Sequence, residues 1–322
     1  MRRRTLVLGS GISALSYLLY DRKACALGGS QRIPGGLAAM QSKLGPHFVW
    51  EDDNTRRLLS DLQLPLDTVE VRVGYLVSGE VIPQSRLTPS DLLSFKCAYS
   101  NKTRGTGYQK GHMSGGSGSF TAFRIGMDEV VRALQDAVAL RVFPISAENV
   151  LLWDHLVLGE NGEEFLYDDL VSTVSAPTLV KMLGMDHLIE KLKARDKTYK
   201  TVPYDVLPSW VSRGRESFEY AYVADPEVEY HRVRFMPDYV VLEFTGIMGT
   251  PGPNSHGSTV VKHPGGQIVG GGEVLRSLPP SVMTLGRYAQ WQSWIKLNDV
   301  LCAVHGSEHS PQKSTQIREI EE

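Results

Sequence analysis

The chain has 322 residues, enough to bury a large core in one or two domains, and its 42% hydrophobic and 22% charged content is that of an ordinary globular protein. A net charge of -2 gives no global attraction to nucleic acid, and no apolar run reaches membrane-spanning length. Cys25, Cys97 and Cys302 are odd in number and widely spaced, which points to neither a disulfide framework nor a zinc site; no metal is expected, and a reducing, cytoplasmic setting is the default.

The first predicted element is a short apolar strand, Thr5 to Leu8, that breaks into Gly9-Ser-Gly11-Ile12-Ser13-Ala14. A strand running into Gly-x-Gly-x-x-Ala at a helix start makes an anion site, because the glycines let the backbone approach a pyrophosphate and the helix N-terminus supplies free N–H groups. Arg2-Arg3-Arg4, the apolar run and Ala24-Cys25-Ala26 imitate a secretory signal. Against that, Asp21-Arg22-Lys23 puts three charges where a cleavage region is neutral, and Gly9 and Gly11 interrupt the apolar segment. A second short strand, Ala24 to Leu27, leads into Gly28-Gly-Ser30-Gln31-Arg32-Ile-Pro34-Gly35-Gly36-Leu37.

At this point the sequence resembles the flavoprotein amine oxidase superfamily, whose second strand runs into an acidic residue, a few polar positions and then Arg-x-Gly-Gly. Arg32, Gly35 and Gly36 match, with Pro34 as a one-residue insertion. The resemblance implies FAD rather than NAD. It would be held by Gly9, Gly11, Ile12, Ser13 and Ala14 at the phosphate turn and by Ser30, Gln31, Arg32, Gly35, Gly36 and Leu37 beyond the second strand. One departure stands out: Gly28 occupies the place of the carboxylate that accepts hydrogen bonds from the adenosine ribose. The acceptor must then come from Gln31, Ser30, the backbone or water.

Gly45-Pro-His47 matches an element that lies near the flavin in the superfamily, making His47 an active-site neighbour on the resemblance and a packed structural histidine on its own context. Asp52, Asp53 and Asn54 form an N-cap signal for a helix from Thr55 to Leu64, stopped by Pro65. Val69 to Ile82 reads as a hairpin around Ser78-Gly79-Glu80. From Asp91 to Ser119, Lys96, Tyr99, Lys102, Arg104, Tyr108, Lys110 and His112 lead into Ser114-Gly-Gly-Ser-Gly-Ser119, which is expected to be a mobile loop. Such a loop is either a solvated surface segment or a lid or cationic arm, with Lys102, Arg104 and Lys110 as candidate contacts to nucleic-acid phosphates.

Phe120 to Asp128 leads into a helix, Glu129 to Leu140, with Val130, Val131, Leu134 and Val138 at helical spacing. In the superfamily a Gly-Met turn like Gly126-Met127 returns the chain to the cofactor domain. A β pair is expected from 149–152 and 164–167, separated by Gly159 and Asn161-Gly162, and the segment from Tyr167 to Leu183 closes the unit. Residues 199–248 read as another sheet rich in Tyr, Trp and Phe. Within it, Tyr222, His231 and Arg232 lie in a tract similar to one in small amine-oxidase-like and UDP-galactopyranose-mutase-like proteins. Alternation along a strand would send His231 and Arg232 to opposite faces. Arg232 suits a carboxylate or phosphate, and His231 a proton or an amine; a surface ion pair beside a turn histidine is the plainer alternative.

Thr250 to Gly257 is turn-rich and reads as a loop. Val282 to Trp291 and Ile295 to Val304 resemble the carboxyl-terminal flavin signature of the mutase and oxidase branch, which places Gly286 and Arg287 against the diphosphate or ribityl chain. Asn298 or Asp299 would cap the final helix, whose N-terminus would face the flavin. The chain from Ser307 onward has little to pack.

The resemblance implies an α/β protein with a Rossmann-like FAD-binding domain (1–68, 123–183 and 264–306), a discontinuous sheet-based α+β substrate domain (69–122 and 184–263) and a flexible tail (307–322). The implied activity is that of an oxidase taking hydride from the carbon next to an amine onto flavin N5, followed by imine hydrolysis and carbon–nitrogen cleavage. Candidate contributors are His47, Tyr222, His231, Arg232, Trp291 and Lys296. The substrate would be a small amine or, as in compact phage DNA-hypermodification flavoproteins, an amino-acid-modified thymine. Two alternatives stand beside it: a sugar-nucleotide mutase in which Arg232 and Arg287 hold a diphosphate, and a flavin- or nucleotide-binding module without redox activity. No membrane partner is expected.

Overall fold

A computed structural model describes residues 4–29, 48–105, 118–245, 260–290 and 296–307. β1 (Thr5–Leu8) is buried along its whole length, and the chain turns at Gly9, whose φ of +107° suits glycine, into α1 (Ile12–Tyr20). Ala14, Leu15, Tyr17 and Leu18 bury one face of α1, and β2 (Cys25–Leu27) then runs parallel to β1. β3 (Phe48–Trp50) precedes α2 (Asp53–Asp61), which begins where Asp52 accepts from the Thr55 N–H at 2.8 Å and from its hydroxyl at 2.9 Å. This helix ends earlier than the Pro65 stop expected. Gln63 takes φ +57°, and the N–H groups of Gln63 and Leu64 close on the carbonyls of Ser60 and Leu59, a Schellman closure that terminates the helix before the proline is reached.

β4 (Thr68–Val77) and β5 (Glu80–Pro83) form the expected hairpin, with Ser78 and Gly79 both left-handed as its two-residue turn requires. The loop expected from Asp91 to Ser119 instead begins as α3 (Pro89–Arg104), and its residues 106–117, which hold most of the Gly/Ser run, lie outside the described residues. Thr88 caps the start of α3 by accepting from the Asp91 N–H, and Gly105, at φ +70°, ends the helix. Phe95, Tyr99, Ser100, Thr103 and Arg104 form its buried stripe, so the basic and aromatic interleaving is that of an amphipathic helix.

After β6 (Ser119–Gly126), α4 (Met127–Val138) buries the expected Val130, Val131, Leu134 and Val138. β7 (Val142–Phe143) is followed by β8 (Ala147–Leu151), β9 (Leu156–Gly159) and β10 (Glu164–Leu166). β9 pairs with both neighbours, so the two strands expected to pair with each other do not. The chain continues through β11 (Asp169–Ser172), α5 (Ala176–Met182), β12 (Lys193–Pro203), α6 (Ser209–Arg215), β13 (Tyr220–Val223), β14 (Arg232–Phe235) and β15 (Tyr239–Thr245). β16 (Val260–Gly270), β17 (Val282–Thr284) and α7 (Leu297–Ser307) complete it.

These strands make three sheets. A parallel sheet runs β17-β11-β1-β2-β7, and a three-stranded meander runs β10-β9-β8. A mixed sheet runs β16-β12-β15-β14-β13-β4-β6-β3, with β5 on β4. α1, α4 and α7 share one apolar core against the parallel sheet, through Leu15, Leu18, Val131, Leu134, Leu301 and Val304. The architecture is α/β, a parallel sheet with a separate mixed sheet. The boundary expected at 264 falls inside β16, which pairs with β12 in the mixed sheet, and β3 also belongs to that sheet although it precedes residue 68. Among the described residues, no helix is long and apolar enough to cross a membrane.

Candidate active site between the two sheets

At the carboxyl end of β1 the backbone is shaped for close approach. A Cβ on Gly9 would meet Thr173 Oγ1, while space around Gly11 is open. Gly11 caps α1 without any side-chain hydrogen bond, which leaves the first N–H groups of the helix facing that opening. Gly286 packs so closely on this turn that a Cβ there would overlap Ser13 Oγ, and it takes φ +96°. Gly286 thus brings the segment after β17, with Arg287 next in sequence, onto the turn that runs from Gly9 through Gly11 and Ile12 to Ser13, whereas Ala14 is wholly buried and serves helix packing. The departure at Gly28 has a steric counterpart. A Cβ there would stand 3.0 Å from both Ser10 Cβ and Val142 Cγ1, so the position has little room for an acidic side chain.

The final helix is tied to the same edge. Asp299 Oδ2 accepts from the Lys296 N–H at 2.7 Å, the reaching-back half of a capping box, so Asp299 rather than Asn298 caps α7. Asn298 Oδ1 instead accepts from Asn54 Nδ2 at 2.8 Å, fastening α7 to α2.

Between this edge and the mixed sheet lies a cleft of about 400 Å³. Tyr222, Arg232, Arg287, Lys296 and Asn298, all singled out in the sequence, line it together. Phe48, Trp50, Phe120 and Tyr220 supply aromatic walls, the Trp50 and Phe120 rings stacking 3.9 Å apart and 1° from parallel. Lys296 Nζ stands 3.9 Å over the Trp50 ring, and burial lowers its pKa against the opposing pull of Asp299 and Asp52. Glu51 is ion-paired with Arg56, and Asp52 is engaged as the cap of α2.

The far side of the cleft is the face of the mixed sheet that carries Tyr75, Tyr222, Arg232, Glu243 and Tyr199, register partners across five strands. Glu243 is 1% exposed. Its Oε1 lies 2.5 Å from Lys197 Nζ and 3.3 Å from His231 Nε2; its Oε2 lies 3.2 Å from an Arg232 Nη and 3.8 Å from one of Arg234. Burial alone would raise the Glu243 pKa, but Arg232, Lys197 and His231 together hold it well below the usual carboxylate range. Burial pushes Lys197 down to about 8 and His231 down to about 4, in each case against the pull of Glu243. The Arg232 guanidinium lies 5.1 Å over the Tyr222 ring and 5.8 Å over Tyr220.

His231 and Arg232 do not take opposite faces in the manner expected. His231 precedes β14, where strand alternation does not apply, so both side chains reach Glu243; only Arg232 lines the cleft, and His231 is buried behind it. The cationic arm is also corrected. Lys102 donates to the carbonyls of Asp225, Val228 and Tyr230 at 2.5 to 2.8 Å, and Arg104 is buried, so neither is presented to a phosphate backbone. Lys110, His47, Trp291 and the stretch Ser30, Gln31, Arg32, Gly35, Gly36 and Leu37 lie outside the described residues. Sequence reasoning missed Lys197, Arg234, Glu243, Phe48, Trp50 and Phe120. Glu243 carried a signal: a lone carboxylate inside Tyr239-Val-Val-Leu-Glu243-Phe-Thr245, an otherwise apolar strand, demands buried partners. Among the described residues there is no group of His, Cys, Asp or Glu able to hold a metal.

No family model matches the sequence, and no curated protein does. Among solved structures, reduced UDP-galactopyranose mutase is similar over 98% of this chain and 97% of its own, at a TM-score of 0.74 and 12% identity. Cyclohexylamine oxidase from Brevibacterium oxydans is similar over 97% and 99%, at 0.66 and 13%. A fatty acid isomerase from P. acnes follows over 95% and 97%, at 0.62 and 9%. The chain has the fold that these three enzymes share.

Proposed function

We propose that the protein is an FAD-dependent enzyme that oxidises an amine and cleaves its carbon–nitrogen bond. The observation that carries this reading is that Gly286 packs on Ser13 in the first turn of α1, which starts uncapped just after the Gly9–Gly11 turn, while its neighbour Arg287 lines an aromatic cleft. The residues present fit the cofactor. The open space at Gly11 and the unsatisfied start of α1 suit a diphosphate, and Arg287 has a buried Nε with no hydrogen-bond partner. Bound FAD supplies the acceptor for the two electrons and the hydrogen taken from the carbon next to nitrogen, leaving an imine that water cleaves to a carbonyl compound and an amine.

The chain's own part is to hold the substrate and set its charge. Trp50, Phe120, Tyr220 and Tyr222 shape an apolar slot that orders the substrate and limits water. Arg232, Arg234 and Arg287 create a positive field that disfavours a protonated amine and so maintains the neutral form that can be oxidised. Lys296, between the slot and α7, adds to that field.

A second reading, a mutase acting on a sugar nucleotide, is favoured by the arginine-lined face of the cleft and by the likeness to UDP-galactopyranose mutase at a TM-score of 0.74. An absorption spectrum of the purified protein tests both. Under the first reading the yellow band is present and an amine bleaches it without oxygen; under the second, activity appears only after dithionite reduction. A colourless protein that does not take up added FAD would overturn both.

A further inference from the structure

The β8–β10 meander is apolar on both of its faces. On the inner face Val150, Val157 and Phe165 stand in register across the three strands and pack on Leu6, Leu8 and Leu27 of the parallel sheet. Alternation along the strands sends the next row, Leu151, Leu156 and Leu166, to the other face. That face looks into solvent: Leu166 is 55% exposed and Leu151 is also exposed. Leu158 lies on the same face, in register with Glu164. A sheet with one buried face ordinarily turns polar side chains to water, so a leucine row there asks for a cover.

Beside the row, in the turn that joins Leu151 to Leu156, stands Trp153, 98% exposed. The turn that carries it is firmly built. His155 takes φ +50° there, and its carbonyl accepts from the Tyr167 N–H at 2.9 Å, which ties the turn to the chain just beyond β10. An indole displayed on a fixed turn is the kind of side chain that anchors protein interfaces, since it offers a large contact area and has little freedom to lose.

Charge narrows the occupant. Residues 142–168 contain no lysine or arginine, yet Glu148, Asp154, Glu160, Glu163 and Glu164 all fall within them. Asp168, at the end of the stretch, is already paired with Arg4. Asp154 adjoins Trp153, Glu164 shares the leucine face, and both are exposed. A second copy of this face would set carboxylate against carboxylate, and an anionic bilayer would be repelled in the same way. Shape narrows it further. The row crosses two strand spacings, about 10 Å, which is close to the rise of two helical turns, about 11 Å. β10 has only three residues, too short an edge to template an added strand.

We propose that the outer face of the meander is a docking site for a basic amphipathic helix of a partner protein. The apolar stripe of that helix covers Leu151, Leu156 and Leu166, its flank packs on Trp153, and its lysines or arginines meet Asp154 and Glu164. The site shares no residue with the cleft and does not depend on the proposed reaction.

The test is a calorimetric titration of the full-length protein with two synthetic helices that share one leucine face, one carrying lysine and the other glutamate on the opposite side. Saturable binding of the lysine helix is expected, at least tenfold tighter than that of the glutamate helix. Trp153→Ser should weaken it tenfold or more, whereas Leu93→Ser, which alters an equally exposed leucine on α3, should leave it unchanged. Asp154→Lys combined with Glu164→Lys should reverse the preference between the two helices, a result that loss of folding cannot mimic. Equal binding of both helices, binding indifferent to Trp153→Ser, or no saturable binding would overturn the site. So would a dimer in sedimentation that Trp153→Ser abolishes, or retention on vesicles of anionic phospholipid that it abolishes, since either outcome names a different occupant.

Discussion

Gly286 lies against Ser13, so the segment after β17 presses directly on the first turn of α1. A methyl group at 286 has no room and would also have to adopt φ +96°. Gly286→Ala should therefore open the cofactor edge while leaving the core of the parallel sheet in place. The expected outcome is at least a tenfold drop in FAD retention with little change in far-ultraviolet circular dichroism, measured as the ratio of flavin to protein absorbance after gel filtration.

Glu243 is the counter-ion of three cations in the mixed sheet. Glu243→Ala leaves them uncompensated and should destabilise the fold by about 3–5 kcal/mol. Glu243→Gln retains an acceptor oxygen for Lys197 and should lose less. Urea unfolding of the two variants beside the wild type provides the comparison.

His231 is held neutral, its pKa lowered by burial from 6.5 to about 4. Between those values the unfolded chain binds a proton that the folded chain does not, so stability falls as pH drops through this window, by on the order of 3 kcal/mol at its acid end. His231→Gln should remove that part of the acid slope. Melting temperatures from pH 7 to pH 4 give the readout, and an unchanged slope in the variant would place the proton elsewhere.

Lys102 joins α3 to the turn between β13 and β14 through three carbonyls. Lys102→Met should destabilise the protein by about 2–3 kcal/mol, since charged hydrogen bonds are lost and the carbonyls are left without their donor. Retention of duplex DNA at low salt should be the same for variant and wild type. A selective loss of DNA binding by a variant of unchanged stability would restore the surface role.

The first strand–turn–helix was legible because its grammar is local: strand, Gly9, Gly11 and helix follow one another within a dozen residues. α4 was legible because Val130, Val131, Leu134 and Val138 repeat at helical spacing on one face. α3 was hidden by its lysines and tyrosines, which resemble a solvated arm until Phe95, Tyr99 and Thr103 are seen to share a side. Glu243 signals buried partners from within its own strand, but which residues those are was beyond local reading. The members of its cluster lie on or beside β12, β14 and β15 and meet only through strand register, a relation between distant segments. Of that set, His231 and Arg232 were singled out in the sequence, and Lys197 and Arg234 were not.

The order of strands in the parallel sheet has a consequence for biosynthesis. β1 sits between β2, which follows it almost at once, and β11, whose contacts reach back across 164 residues of chain. One flank of the nascent β1 must wait, unsatisfied, until more than half the protein has left the ribosome, and α1 waits longer still for α7 to cover it. A chain halted before residue 297 would leave part of the apolar face of α1 uncovered, so chaperone demand should rise steeply for carboxyl-terminal truncations and hardly at all for changes at the exposed positions of the β8–β10 meander, such as Leu151 and Leu166.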